Sequence, residues 1–116
     1  MKNLLAVMFL LLSACASTAK ITKVSATGMK VKVVKQDPSS TLCSEIGPVE
    51  AKDGDGCGLL GSQGSYAGAY NNLRNMAGEM GANLVRMDSQ VPPHQIQGCY
   101  VNEFVIRGTA YDCKVP

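Results

Sequence analysis

The sequence predicts an α+β domain in which one helix packs on a small antiparallel or mixed sheet, in the order β-β-α-β-β, held by two disulfides. Three observations carry this. Polar and apolar residues alternate in residues 29–36, residues 82–89 read as a short buried strand through Leu84, Val85 and Met87, and β-branched and aromatic residues crowd residues 100–113. Between these stretches, residues 65–81 repeat their apolar positions at intervals of three and four, the period of a helix. Four cysteines, Cys43, Cys57, Cys99 and Cys113, stand too far apart for the paired spacing of a thiolate metal site. One helix set between strand pairs is the signature of an α+β domain.

The chain opens MKNLLAVMFLLLSACASTAK. Lys2 precedes an apolar run from Leu4 to Leu12, which is shorter than the roughly 20 residues needed to span a bilayer and suits the core of a signal peptide. The run ends Leu12-Ser13-Ala14-Cys15, which resembles a bacterial lipobox. That resemblance implies cleavage before Cys15 and acylation of its thiol and new amino group; two or more acyl chains anchor a protein stably. Ala16, in place of aspartate, resembles cargo sorted to the outer membrane. The expected division is a signal peptide in residues 1–14, a lipidated N terminus and flexible tether in 15–28, and a periplasmic domain in 29–116. The tether is rich in Ser, Thr and Ala. Lys20, Lys23, Lys30, Lys32 and Lys35 all precede the first acid, Asp37. They read as solubilising charge on a linker and an edge strand, with contact to anionic head groups the sharper alternative. With 11 Lys and Arg against 9 Asp and Glu, the chain has no basic footprint for nucleic acid.

Within the domain, Met29, Val31 and Val33 alternate with lysines as a half-buried edge strand. Asp37-Pro38-Ser39-Ser40 is a turn, and residues 42–51 form a second strand that Pro48 confines to an edge or a bulge. Residues 52–65 carry five glycines and form a loop. The helix buries a stripe of Tyr66, Ala69, Tyr70, Leu73, Met76, Ala77 and Met80, and turns Asn71, Asn72, Arg74, Asn75 and Glu79 outward. Ser62 or Ser65 caps its start and Gly81 closes its end. Residues 90–98 are a polar, proline-bearing loop, and the last strand bends at Gly108.

In an oxidising compartment, four cysteines beyond the lipidated one imply two disulfides. Three pairings exist. The nested pairing, 43 with 113 and 57 with 99, gives both pairs the same sum of residue numbers, as opposed residues of an antiparallel pair would have. The crossed pairing would suit parallel strands, and the sequential pairing would close two hairpins.

Val31-Lys-Val-Val, Ile46-Gly47-x-Val49 with Cys57 eleven residues past the Ile, Met80-Gly-Ala-Asn83-x-Val85 and Gly98-Cys99-Tyr100 together resemble the RcsF family. These are outer-membrane sensor lipoproteins of an envelope-stress phosphorelay. The resemblance spans about residues 29–110 and implies a Cys57–Cys99 disulfide. Ser89 and Val105 stand where that family has its second pair, and its long proline-rich linker is missing. A further resemblance is to a family of small bacterial lipoproteins with Cys-x-x-Ile/Leu-Gly, an Asn-x-Leu-Arg-Asn-x-Ala-x-x-Met-Gly helix and a closing Tyr-x-Cys. Here these are Cys43, residues 71–81 and Tyr111-Asp-Cys113, and the resemblance implies Cys43–Cys113.

Other chemistry is thinly represented. Asp53-Gly-Asp55-Gly starts like a calcium loop, but Cys57 and Gly64 fall where later ligands belong. Gly58, Gly61, Gly64 and Ser65, opening a helix, are a candidate anion cradle. His94 is the only histidine, and nothing in the sequence places Ser65 or Ser89 beside it. The expectation is a protein without catalytic residues, metal or other cofactor, anchored at the outer membrane through Cys15. It would act by binding another envelope protein, with the loops 52–65 and 89–98 as contact surfaces. The alternatives are a module for an anionic envelope component and an architectural lipoprotein.

Overall fold

The computed structural model describes residues 21–114; the leader, Cys15 and the first part of the tether lie outside the described residues. Strands β1 (Lys32–Val34), β2 (Cys43–Asp53), β3 (Leu84–Val91) and β6 (Phe104–Cys113) form one sheet in the order β1-β3-β6-β2. β1 runs parallel to β3, and the other pairings are antiparallel, so the sheet is mixed. Helix α1 (Tyr66–Glu79) covers one face. β4 (His94–Ile96) and β5 (Cys99–Val101) form a separate hairpin.

Both edges of the main sheet are blunted against further pairing. β1 has three residues, beginning with an exposed lysine. β2 carries Pro48, which has no amide to donate, and a register shift between Glu45 and Gly47. A second irregularity falls between Met87 and Ser89, opposite Gly108. The bend expected at Gly108 is therefore accommodated by an extra residue, Asp88, in the neighbouring strand. Gly108 itself must stay small, since a Cβ there would lie 2.6 Å from the Arg86 carbonyl oxygen.

The core is thin. Val31, Val49, Ala51, Ala69, Leu73, Ala77, Val85, Met87, Ile106 and Ala110 are its main members, and alanine accounts for much of it. The helix thus lies close to the sheet and buries a narrow line through Ala69, Leu73 and Ala77. The broad expected stripe is corrected accordingly: Tyr66, Met76 and Met80 flank that line and are exposed. Tyr66 instead sets its ring against Tyr70 and Phe104, each with centroids 5.7 Å away. The first strand is also shorter than its alternation suggested. Residues 28–30 form a 3-10 turn, so Met29 is exposed and alternation begins at Val31.

Residues 22–28, read as flexible tether, are bound to the helix. Asn71 donates to the Thr22 carbonyl, and Asn75 donates to that of Lys23 while accepting from the Ser25 amide. Arg74 donates to the carbonyls of Val31 and Met29. Gly78 lets the chain come close, because a Cβ there would meet the Thr27 backbone at 2.8 Å. The asparagines assigned to solvent are thus a row of amide clamps for a segment whose own backbone groups have no strand partner.

Both disulfides have the nested pairing, Cys43–Cys113 and Cys57–Cys99. At the first, the Cys43 amide donates to Ser39 and the Cys113 amide to the Asn83 side chain. Neither amide faces the opposite cysteine, so this is a non-hydrogen-bonded cross-strand pair, the closer kind. The second pair does not share that register. The bulge at Ile46 shifts the sum of opposed residue numbers by one, and Cys57 bridges Val101 in place of Cys99.

Asn83 holds the far end of β6. Its side chain accepts from the Cys113 amide at 2.8 Å and donates to the Cys113 carbonyl at 2.7 Å, while its own amide donates to Tyr111. Replacing it by alanine leaves two backbone groups of a half-buried residue unpaired. Asn83→Ala is expected to cost about 2 kcal/mol in urea unfolding, and to expose the Cys113 amide to faster hydrogen exchange.

Candidate functional site

The glycine loop at residues 54–64 joins β2 to the helix. Asp53, the last residue of β2, accepts hydrogen bonds from the Ser65 amide at 2.7 Å and the Ser65 hydroxyl at 3.2 Å. Ser65 caps the helix, its Oγ accepting from the Gly68 amide. Gly68 is needed because a Cβ there would collide with the Asp53 carboxylate. A carboxylate of the chain itself thus sits where the helix N-terminus would attract an anion. Of the candidate cradle Gly58, Gly61, Gly64 and Ser65, Ser65 is engaged by the Asp53 carboxylate, Gly58 and Gly61 lie against Asn102, and Gly64 lies against the Asp53 backbone.

The loop is closed upon itself. The Asp55 amide donates to Ser62, whose own amide donates to the Asp55 carboxylate. Buried Asn102 donates through its side chain to the Gly58 carbonyl, takes the Gly64 amide on its own carbonyl, and donates its amide to Gly56. Asp53 and Asp55 therefore both point into hydrogen bonds of the fold. Among the described residues, no three His, Cys, Asp or Glu gather as metal ligands do. The result is a pinned loop whose Leu59 and Leu60 stand fully in solvent, at 105% and 102% relative exposure. Nothing in the apolar pattern had marked this pair as exposed.

The segment 89–98 is likewise not an open loop. Residues 89–91 continue β3, and 94–96 form half of the small hairpin, turned by Gly98 at φ 82°. His94 shares a hydrogen bond with the Pro92 carbonyl. The hydroxyl of Ser65 is taken up by the helix cap, and no hydrogen bond joins it or Ser89 to His94.

Among the described residues no helix or strand packs on the sheet face opposite the helix, which is polar. Alternation along β6 sends Ile106, Gly108 and Ala110 toward the helix and Val105, Arg107, Thr109 and Tyr111 to this other side. On β3, Arg86 donates to Asp37 and Asp88, each at 2.7 Å, and to Thr109. Its guanidinium carbon lies 5.9 Å from the ring centre of the nearly buried Tyr111. The hydrogen bonds that Arg86 donates to Asp88, and then to Asp37, raise its pKa. A cleft of about 430 Å³ opens between this arginine, Tyr111, Glu45, Cys43 and the 37–40 turn. A second, of about 440 Å³, lies between Pro48, Glu50, Ser89, Arg107 and Thr109. Arg86, Arg107 and Thr109 were not singled out in the sequence, although Arg107, Thr109 and Tyr111 at every second position carry the signal.

Arg107 donates to Glu50 at 2.7 Å, and Lys52 lies 3.6 Å from the same carboxylate. The hydrogen bond from Arg107, aided by the charges of Arg107 and Lys52, holds Glu50 below its ordinary pKa. A depressed acid contributes stability that is present above its unfolded pKa and is lost as pH falls through its folded value. The group is solvent-exposed, so the contribution is small. In Arg107→Gln, the Glu50 midpoint followed by carboxyl NMR is expected to rise toward its ordinary value, with little change in folding.

Residues 22–113 match the family model described as Domain of unknown function (DUF4156). The chain belongs to the DUF4156 family. It is 31% identical over 106 residues to the uncharacterized protein YjeI of Escherichia coli K12, covering 90% of this chain and 87% of that protein. YjeI of E. coli O6:H1 and of Shigella flexneri match to the same extent. The DUF4156 match starts at Thr22, the first residue clamped by the helix, so the docked segment lies inside the family unit.

Proposed function

We propose that this DUF4156 protein is an outer-membrane lipoprotein, acylated on Cys15, whose RcsF-like periplasmic domain works by binding another envelope protein, in a role such as envelope-stress sensing. The leader and lipobox support the anchor. The observation that carries the binding role is the sheet face on which no described helix or strand packs. It presents two adjoining clefts and fixed ion pairs on a scaffold stapled by disulfides, and mixed charged and aromatic groups of this kind suit a polar protein interface. Binding of a small anion at the helix N-terminus is disfavoured by the Asp53 carboxylate already there. The Cys57–Cys99 bridge is the one that the RcsF resemblance implies, and Cys43–Cys113 the one that the small-lipoprotein resemblance implies.

The test is photocrosslinking in intact cells from single positions on the open face, at Glu45, Ser89 and Arg107. One discrete protein adduct from these positions supports the reading. No adduct from any of them leaves an architectural lipoprotein as the better account. Mass spectrometry of the mature protein decides the anchor separately: an N terminus elsewhere than Cys15, or no acyl mass, removes it.

A further inference from the structure

We infer that the Leu59–Leu60 tip is a second membrane foothold, seated in the lipid surface beside the acyl anchor; this rests on the acylation of Cys15 proposed above. Single exposed leucines are ordinary on protein surfaces. Two consecutive ones at full exposure, with half-exposed Ile96 and Tyr100 on the adjacent hairpin, are a different matter. Their loop is held by Asn102 and by the Cys57–Cys99 bridge, so the leucines are kept outside the core.

The path of the chain says what covers them. From Thr22 to Gly28 the docked segment runs alongside the helix in the same direction, with Thr22 at Asn71, Lys23 at Asn75 and Thr27 at Gly78. Traced backward from Gly28 to Thr22, the segment heads toward the helix N-terminus. The glycine loop and its leucines lie at that same pole. Ile21 is six residues after Cys15 in the sequence, and an extended chain of that length reaches at most about 20 Å. An acylated Cys15 therefore holds this pole, and not the Cys43–Cys113 pole, next to the bilayer. Docking of residues 22–28 shortens the reach that a free tether would have given.

A lipid surface fits the tip better than a protein groove does. The tip is aliphatic and fully exposed, whereas protein hot spots favour Trp, Tyr and Arg and under-represent Leu. Shallow insertion of apolar side chains at the boundary of head groups and acyl chains needs only such a tip. Seated there, the domain would turn a fixed side toward the membrane and leave the open sheet face accessible.

The chain contains no tryptophan, so one indole is a clean reporter. The mature lipoprotein carrying Leu60→Trp is placed in vesicles of phosphatidylethanolamine and phosphatidylglycerol, with and without brominated acyl chains. Ser44→Trp, at the opposite pole, serves as the reference. The inference expects blue-shifted emission and bromine quenching at position 60, and neither at position 44. Acyl mass on Cys15 with an unquenched, water-like indole at 60 leaves the anchor standing and overturns the foothold. Absence of acyl mass overturns the anchor and the foothold together. An indole at 60 that is unquenched in vesicles but blue-shifted in native membranes assigns the tip to a protein contact, and the lipid inference falls.

Discussion

Replacing Cys43 and Cys113 together by alanine is expected to lower the unfolding free energy by about 3 to 4 kcal/mol. The two residues are 70 apart in sequence, but the Cys57–Cys99 bridge lies inside that loop and already shortens it. What the outer bridge closes is therefore a path through the two flanking arms and the inner bridge, and loop entropy depends only weakly on its length. Against a typical total of about 5 to 15 kcal/mol, a loss of this size matters for a domain with so thin a core. The bridge also fastens β2 to β6 before the bulge at Ile46, the part of the pairing farthest from the inner bridge. Urea unfolding of the oxidised protein against the double-alanine variant measures the effect. A loss below about 1 kcal/mol would mean that the ladder and the Asn83 contacts already hold this end without sulfur.

Much of the fold was legible in sequence because its devices are local. Ser65 as cap, Gly81 as stop, Pro48 beside a bulge on an edge strand and the period of Leu73 and Ala77 each act within a few residues. The antiparallel neighbours β2 and β6 were legible through cysteine spacing, although only the outer pair obeys the register that suggested it. What was not legible depended on contacts between distant segments. Asn71 and Asn75 look like solvent-facing polar residues until the 22–28 segment lies on them. The Asp53 carboxylate looks like a turn residue until β2 delivers it to the helix start. Leu59 and Leu60 look like ordinary loop apolars until Asn102 closes the loop beneath them. Arg86 and Arg107 gain their setting only when β3 and β6 align.

Leu73→Ala is the other substitution expected to have a large effect, with a cost toward the upper part of the 2 to 5 kcal/mol usual for such truncations. Leu73 is among the largest fully buried side chains, with Ile106 and Val85. The cost of a truncation depends on how far the surroundings can collapse into the space. Here Ala51, Ala69, Ala77 and Ala110 have no side-chain length with which to fill it, and all are buried. The backbone is equally constrained. Asp53 and Ser65 fix one end of the helix, while the close approaches at Gly78 and the Asn75 clamp fix its flank. The cavity should therefore stay open, and the helix should lose its hold on the sheet before the disulfide-bound strands lose each other. Leu73→Met, which keeps the volume, is expected to cost less than about 1.5 kcal/mol. Hydrogen exchange gives the sharper readout. In Leu73→Ala, protection should drop first in the helix and in residues 22–28, which are docked on it, and later in β2 and β6. Equal loss of protection in all of these would show that helix and sheet unfold as one unit, so that the core line through Leu73 is not the weak seam of the molecule.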